Sequence, residues 1–162
     1  MGLFDKLTGT RRPDSGVVPL PAAEVRAALL ALAGPDAPFA LREGTPKERA
    51  DLVAVWRIPE GRWHPERGQT RLRLVPAARE VRALDEQWEA LEPGELSSGG
   101  QGLKYSRGPV TSVSGQWRVE RGPDGRRRRL EKESAFSSAR VKAPLRDAVL
   151  AAGWTWRGVF RP

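Results

Sequence analysis

The chain has no cysteine and a single histidine among its 162 residues. Without cysteine there is no disulfide, no thiolate metal site and no thiol nucleophile. The histidine, His64, lies in the loop-forming stretch 61–66, and no second histidine or cysteine exists to complete a metal set around it. We therefore expect no metal and no cofactor, and a reducing cytoplasm as the location of the protein.

Familiar membrane and catalytic signals are also missing. No apolar run approaches the roughly 20 residues of a membrane span, and the N-terminus lacks the apolar region of a secretory signal. The sequence contains no Gly-x-Ser-x-Gly elbow and no glycine-rich phosphate loop. Its densest carboxylate cluster is Asp85, Glu86 and Glu89, and nearby Arg79 and Arg82 indicate ordinary surface pairing. An enzyme that uses such carboxylates as acid and base is the alternative function.

Negative charge is scarce in one part of the chain. Residues 1–100 contain 14 Lys and Arg against 15 Asp and Glu, whereas residues 101–162 contain 14 against 5. The excess positive charge therefore lies in the C-terminal third. Such asymmetry predicts a basic face that meets an anionic partner. The leading function is a non-catalytic binding or adaptor protein, with nucleic acid slightly ahead of an anionic membrane or an acidic protein.

Four consecutive arginines at positions 126–129 are the strongest local feature. They follow a turn signal at 122–125, which predicts a hairpin whose tip reaches into solvent. Guanidinium groups match phosphate oxygens in pairs. The alternative without a binding role is a solvated tip, whose positive charge is partly neutralised by Glu120, Glu131 and Glu133. The predicted anion-binding residues are Arg118, Arg121, Arg126, Arg127, Arg128 and Arg129, with Lys104, Arg107, Lys132, Arg140 and Lys142 as a secondary set.

Tryptophans offer a second way to hold a nucleic acid. Trp56 and Trp117 lie on apolar strand faces and are expected in the core. Trp154 and Trp156 share one side of the last predicted strand. If one of them were exposed beside Arg157, it could stack on a base or lie at a lipid headgroup.

The segment 1–20 is predicted to be a flexible N-terminal extension of a single domain, residues 21–162. Its Gly, Pro, Ser and Thr content after Leu7 is typical of a linker. Two interpretations of Leu3, Phe4 and Leu7 stay open: they dock on the domain, or they make a weak contact with a membrane surface. Three apolar side chains give too little binding energy for stable anchoring.

Periodicity predicts an α+β domain with an antiparallel sheet of about five to seven strands and two helices packed on it. The predicted helices cover residues 21–33 and 144–152. The predicted strands cover residues 38–41, 51–58, 70–75, 80–91, 113–120, 126–136 and 154–160. The composition of the fourth of these also allows a helix, but the turn signal at 76–80 favours a returning strand, in which Trp88 is expected to be buried. The stretch 93–102 is expected to be a flexible connection, and the oligomeric state is open.

Three stretches carry a resemblance to known sequences. They are residues 1–7 (Met-Gly-Leu-Phe-Asp-Lys-Leu), residues 80–88 and the C-terminal passage 140–160. In these the chain resembles an uncharacterised family of small actinobacterial proteins. The resemblance implies a cytoplasmic bacterial protein with a closing helix–strand unit, and it implies no functional residue.

Overall fold

The computed structural model of the chain describes residues 5, 8–57, 67–90, 103–109, 113–114, 118–121, 127–130 and 136–161. Between residues 113 and 137 it describes strand backbone alone. Several expectations lie outside the described residues. They are the loop position of His64, the core position of Trp117, the connection at 93–102, the turn at 122–125 and the contacts of Leu3, Phe4 and Leu7.

Two helices and ten strands make up the described structure. The helices are α1 (Ala22–Leu30) and α2 (Ser138–Ala151). The strands are β1 (Ala40–Glu43), β2 (Leu52–Arg57), β3 (Arg67–Val75), β4 (Glu80–Ala90), β5 (Leu103–Arg107), β6 (Val113–Ser114), β7 (Arg118–Arg121), β8 (Arg127–Leu130), β9 (Phe136–Ser137) and β10 (Thr155–Gly158).

Six of the strands form one sheet in which β4 is central. The order β1-β2-β3-β4 is antiparallel throughout. The outer edge of β4 is shared, because β10 pairs with its first half in parallel and β5 with its second half antiparallel. Two further pairs, β6–β9 and β7–β8, are separate two-stranded sheets. The predicted α+β class, with a mostly antiparallel sheet and two helices, is confirmed.

The core lies between the helices and one side of the sheet, which we call the helix side. Strand side chains alternate between two faces, so every second residue of β2, β3 and β4 points to the helix side. Trp56 is among them, as predicted. The fully buried residues of this core include Val25 and Leu29 of α1, Val141, Leu145 and Val149 of α2, and Leu52, Leu72 and Val81 of the sheet.

The structure confirms the strand at β4, where composition also allows a helix. A short 3-10 turn at Pro76–Ala78 leads into Arg79, whose φ of 49° reverses the chain. The next residues then return as an eleven-residue strand beside β3. Trp88 was expected to be buried, but it is only half-buried.

The closing helix starts earlier than predicted. Pro144 was expected near its first turn, yet α2 begins at Ser138 and Pro144 lies inside it. Proline inside a helix removes one backbone hydrogen bond. The extra turns place Val141 one helical turn before Leu145, and both are fully buried. Burial of this longer apolar stripe offsets the cost of the proline.

The described part of segment 1–20 contacts the last strand and its approach. Arg11 forms an antiparallel bridge with Trp156, with N···O distances of 2.8 and 2.9 Å. The amide of Leu20 donates to the carbonyl of Ala152 at 2.9 Å. The indole Nε1 of Trp154 donates to the carbonyl of Leu20 at 2.8 Å. This segment therefore lies along β10 and covers its outer edge. In the described residues, no helix is long and apolar enough to cross a bilayer.

Candidate functional site

The predicted arginines lie mainly in the small sheet of β7 and β8. Arg118 and Arg121 belong to β7, Arg127, Arg128 and Arg129 belong to β8, and Arg126 lies outside the described residues. The register pairs Arg121 with Arg127 and Glu120 with Arg128. The backbone thus brings five predicted arginines into one two-stranded ribbon.

The secondary basic residues are dispersed. Arg107 and Arg140 are exposed on β5 and α2. Lys142 faces inward from α2 and pairs with Asp85. Lys104 is described by its backbone position in β5, and Lys132 lies outside the described residues. The described side chains of this set therefore do not form one patch, since Arg107 lies on the far face whereas Arg140 and Lys142 belong to α2.

A different basic surface lies on the main sheet, on the side opposite the two helices. We call it the far face. Alternation along β3 and β4 places their arginines there, while Leu72 and Ala83 between them point to the helix side. The charged far-face residues with described side chains are Arg42, Arg67, Arg71, Arg73, Arg82, Arg107 and Arg157, together with Glu80 and Glu86.

Three of these arginines form a continuous row across adjacent strands, which we call the arginine row. Arg73 of β3 is paired in register with Arg82 of β4, and Arg82 is paired with Arg157 of β10. Neighbouring strands lie about 4.8 Å apart, so the three side chains start close together. All three reach solvent: Arg73 is exposed, and the side chains of Arg82 and Arg157 are 43% and 50% exposed.

Among the described residues, one carboxylate, that of Glu80, pairs with this row. Glu80 Oε1 accepts from Arg82 Nε at 2.7 Å, and Glu80 Oε2 accepts from an Arg157 Nη at 3.3 Å. No carboxylate among the described residues pairs with Arg73. Like charges at directly paired strand positions destabilise a sheet. The row therefore has more positive charge than its own surroundings neutralise.

The other end of the far face carries two aromatic rings. Trp88 and Tyr105 are paired in register, with their ring centroids 5.5 Å apart. The guanidinium carbon of Arg67 lies 5.0 Å from the centre of a Trp88 ring, a cation–π geometry. The Tyr105 residue is 48% exposed, so its ring is accessible. These rings can stack on a planar group from solution.

Glu86 connects the rings to the charged part of the face. Its Oε1 accepts from the hydroxyl of Tyr105 at 2.6 Å, and its Oε2 accepts from Gln69 at 2.7 Å. Arg71 lies 2.7 Å from the same Oε2 as an ion pair. Burial of Tyr105 is the larger cause that raises the pKa of its hydroxyl, and the hydrogen bond to Glu86 is the second cause. The protonated hydroxyl keeps its hydrogen bond to Glu86 at neutral pH.

The expectation of surface pairing for the carboxylate cluster is wrong. Asp85 and Glu86 are 7% and 4% exposed and point to opposite faces of β4. Asp85 accepts from the hydroxyl of Thr70 at 2.8 Å and from Nζ of Lys142 at 2.7 Å. Lys142 comes from α2, 57 residues further along the chain. The sequence neighbour Arg82 pairs with Glu80 instead, because residues two apart on a strand share a face.

The structure rules out the alternative in which a tryptophan near the C-terminus is exposed and stacks on a base. Trp154 and Trp156 are 2% and 5% exposed. The segment that ends at Leu20 covers Trp154, and the bridge from Arg11 covers the edge beside Trp156. Neither ring is available for stacking. Stacking is left to Tyr105 and Trp88, which the sequence did not single out for this role.

The arginine row was missed although part of its signal was visible. Arg71 and Arg73 alternate with apolar residues in β3, which indicates one charged face. That Arg82 and Arg157 join the same row depends on the strand order β3-β4-β10 and on its register.

In the part of the chain that the structure describes, no group of three His, Cys, Asp or Glu residues could hold a metal ion. No protein family model matches this chain, no curated protein is significantly similar to it, and no solved structure matches it.

Proposed function

We propose that this protein is a non-catalytic binding protein for a single-stranded nucleic acid, held on the far face of the sheet. The observation that carries the proposal is the arginine row. Three arginines occupy directly paired positions on adjacent strands, and one described carboxylate, that of Glu80, contacts two of them. A row of this kind costs stability in isolation, and a chain of phosphates offsets that cost.

The length of the far face supports a polymer as the ligand. Arg82 and Trp88 lie six positions apart on β4. At about 3.3 Å per residue this separates the arginine row from the aromatic rings by roughly 20 Å. A strand of nucleic acid that crosses this distance would place phosphates on the arginines and bases on the rings. Base stacking on aromatic side chains contributes roughly 1–3 kcal/mol per base.

The ribbon of β7 and β8 supplies the second basic element of the proposal. Its register sets Arg121 beside Arg127. Arg118 and Arg129 lie in the same ribbon, Arg128 is paired with Glu120, and Arg126 precedes β8 in the sequence. Arginine at such a ribbon suits phosphate contacts. An anionic membrane or an acidic protein would also meet this charge, and the experiment below separates them.

The alternative function, an enzyme with carboxylate acid–base groups, has one observation in its favour. Asp85 lines a cavity beside Lys142. However, both partners of Asp85, Thr70 and Lys142, hold its carboxylate in a fixed hydrogen-bonded pair. A carboxylate held in this way supports folding better than it supports proton transfer. We keep binding as the proposed function.

We also propose a cytoplasmic location, which the absence of cysteine supports.

Fluorescence anisotropy with labelled single-stranded DNA and RNA of about 20 nucleotides tests the proposal. The variant Arg73→Gln/Arg82→Gln/Arg157→Gln removes the arginine row. We expect its affinity to fall by about tenfold or more, since three phosphate contacts are lost. Tyr105→Ala should weaken binding by a similar factor, because one stacked base loses its platform. Replacing Arg126, Arg127, Arg128 and Arg129 by Ser should weaken it further.

A charge-matched control is available outside the far face. Arg12→Gln/Arg140→Gln/Arg146→Gln removes the same number of positive charges from the N-terminal segment and from α2. We expect this variant to bind nearly as the natural chain does. Equal loss in both triple variants would mean that net charge alone drives binding. Co-sedimentation with anionic vesicles, without nucleic-acid binding, would overturn the proposal in favour of a membrane partner.

A further inference from the structure

A separate cavity lies at the place where the outer edge of β4 changes neighbours. The strand β10 leaves β4 after Gly158, and β5 joins it from Arg107. Between them, the amide of Val159 donates to the carbonyl of Ala83 and that of Gly108 to the carbonyl of Asp85, both at 2.9 Å. The carbonyl groups of Ala83 and Asp85 at this junction are therefore hydrogen-bonded. The space on the helix side of this junction is a cavity of about 240 Å³.

Elements that are distant in the sequence build its walls, including Trp156 and Gly158 of β10. Its charged lining comes from three of them: the N-terminal segment contributes Arg11, α2 contributes Lys142 and Arg146, and β4 contributes Asp85. Gly158 allows the N-terminal segment to close the cavity, since a Cβ there would lie 1.9 Å from the carbonyl oxygen of Thr8. The cavity therefore exists only because these elements pack closely around the edge.

Among the described residues that line this cavity, positive charge exceeds negative charge. Arg11, Lys142 and Arg146 line it together with one carboxylate, that of Asp85. The short Lys142–Asp85 pair neutralises that carboxylate and holds the ammonium group in place. Arg146 pairs with Asp147, a neighbour whose side chain is 62% exposed. Exposed pairs of this kind are weak, so Arg146 can exchange this partner for a ligand.

We propose that this cavity binds a small oxyanion of the phosphate class between Arg11, Arg146 and Lys142. Two guanidinium groups and an ammonium group are the donors that phosphate oxygens prefer in proteins. The volume is below the roughly 300–1,000 Å³ of sites for drug-sized ligands. The site thus suits a phosphate ion or one phosphate group on a small carrier. It is separate from the far face, which lies on the other side of β4.

Isothermal titration calorimetry of the full chain with inorganic phosphate, in chloride buffer at constant ionic strength, tests the proposal. We expect saturable binding of one phosphate per chain. Arg146→Gln and Arg11→Gln should each weaken it about tenfold or more. Both side chains reach solvent, so these variants should fold. Lys142 is left unchanged, because its removal would leave Asp85 buried without its partner.

A second titration with glycerol phosphate identifies the source of the phosphate group. Binding of both ligands means that a phosphate ester fits the cavity, and binding of inorganic phosphate alone means that the free ion is the ligand. The Arg73→Gln/Arg82→Gln/Arg157→Gln variant should bind phosphate as the natural chain does. Absence of saturable binding, or binding that this variant loses while Arg146→Gln keeps it, would overturn the proposal. Nucleic-acid binding can fail in the earlier experiment without any change in this one.

Discussion

Asp85 shows how one residue links the sheet to a helix. Its carboxylate is buried on the helix side and is held by Thr70 from β3 and by Lys142 from α2. A buried charge is tolerated only when its partners replace the water that it has lost. Asp85 and Lys142 therefore depend on each other, and the pair sets the position of α2 over β4.

Replacement of Lys142 by Met should destabilise the fold. The variant leaves the Asp85 carboxylate buried beside Thr70 without its counter-ion. We expect the free energy of unfolding to fall by about 2–3 kcal/mol, somewhat less than for a fully buried pair. Urea denaturation followed by tryptophan fluorescence measures it.

An exposed pair of the same length provides the control for this substitution. Arg26 and Glu43 are also 2.7 Å apart, but both side chains reach solvent. Arg26→Met should cost less than about 1 kcal/mol, because exposed ion pairs contribute little. Similar losses in the two variants would show that burial does not strengthen the Asp85–Lys142 pair.

Glu48 gives the protein a weak dependence on acid. The hydrogen bonds from Arg42, and further bonds from Thr45, lower the pKa of Glu48 from 4.5 to about 2. A carboxylate with a lowered pKa in the folded state stabilises it above its unfolded pKa and loses this effect as the pH falls. The stabilisation is therefore complete above about pH 4.5 and disappears towards pH 2.

The variant Glu48→Gln tests this dependence. At pH 7 we expect it to unfold more easily than the natural chain by less than about 1 kcal/mol, since Arg42 is about half exposed and water screens the pair. The difference should shrink as the pH is lowered from 5 to 2. Thermal unfolding across this range measures it, and a difference that is constant down to pH 2 would contradict the assigned pKa.

At the scale of elements, the shared edge of β4 is the feature that organises the molecule. Its first half pairs with β10 and its second half with β5, and the N-terminal segment adds a bridge outside β10. An exposed strand edge is a template for unwanted pairing. The N-terminal segment protects part of the free edge of β10. Gly158 allows the backbone of Thr8 to approach this strand closely.

Gly158→Ala should loosen the N-terminal segment. The added Cβ would lie 1.9 Å from the carbonyl oxygen of Thr8, so one of the two backbones must move. We expect a loss of roughly 1–3 kcal/mol, as for other overpacked sites. Amide hydrogen exchange at Arg11 and Trp156, whose amides form the bridge, should become faster.

Gly34→Ala is the matched control for this substitution. A Cβ at Gly34 would meet no atom within 4 Å, so this variant should keep the slow exchange of the bridge. If Gly158→Ala kept it as well, the packing of Thr8 against β10 would not depend on that glycine.

At the scale of the whole molecule, the chain has a net charge of +8, and two groups of arginines contribute to it, on the far face and in the ribbon of β7 and β8. The ribbon of β7 and β8 carries the arginines that are evident in the sequence. Apart from Arg107 and Arg157, the far-face arginines come from the first 100 residues, where positive and negative charges nearly cancel. They do not cancel in space, because β3 and β4 sort their charges by face.

Salt dependence should report how many arginines touch phosphate. For single strands, the logarithm of the binding constant falls with the logarithm of salt concentration by about 0.7 per phosphate contact. Loss of Arg73, Arg82 and Arg157 should therefore reduce this slope by about 2. Anisotropy titrations at several salt concentrations give the slope, and an unchanged slope would place the phosphate contacts elsewhere.

The local pattern of the chain was sufficient for most elements. Alternation of apolar and polar residues predicts β2, β3 and β4, and the turn residues before Glu80 predict the return of the chain. These signals are local, since each depends on neighbours within a few residues. The predicted start of α2 was wrong. The preference of proline for the first turn of a helix is also a local rule, whereas the burial of Val141 depends on tertiary contacts.

By itself, the sequence determined the fold class, the excess of positive charge and the absence of thiol chemistry. The tertiary structure alone decided which charges meet. It buried Asp85 against Lys142, covered Trp154 and Trp156, and aligned Arg73, Arg82 and Arg157. The reason is physical: secondary structure follows from contacts between near neighbours. A binding surface depends on strand order and register, which are set by the packing of segments far apart in the chain.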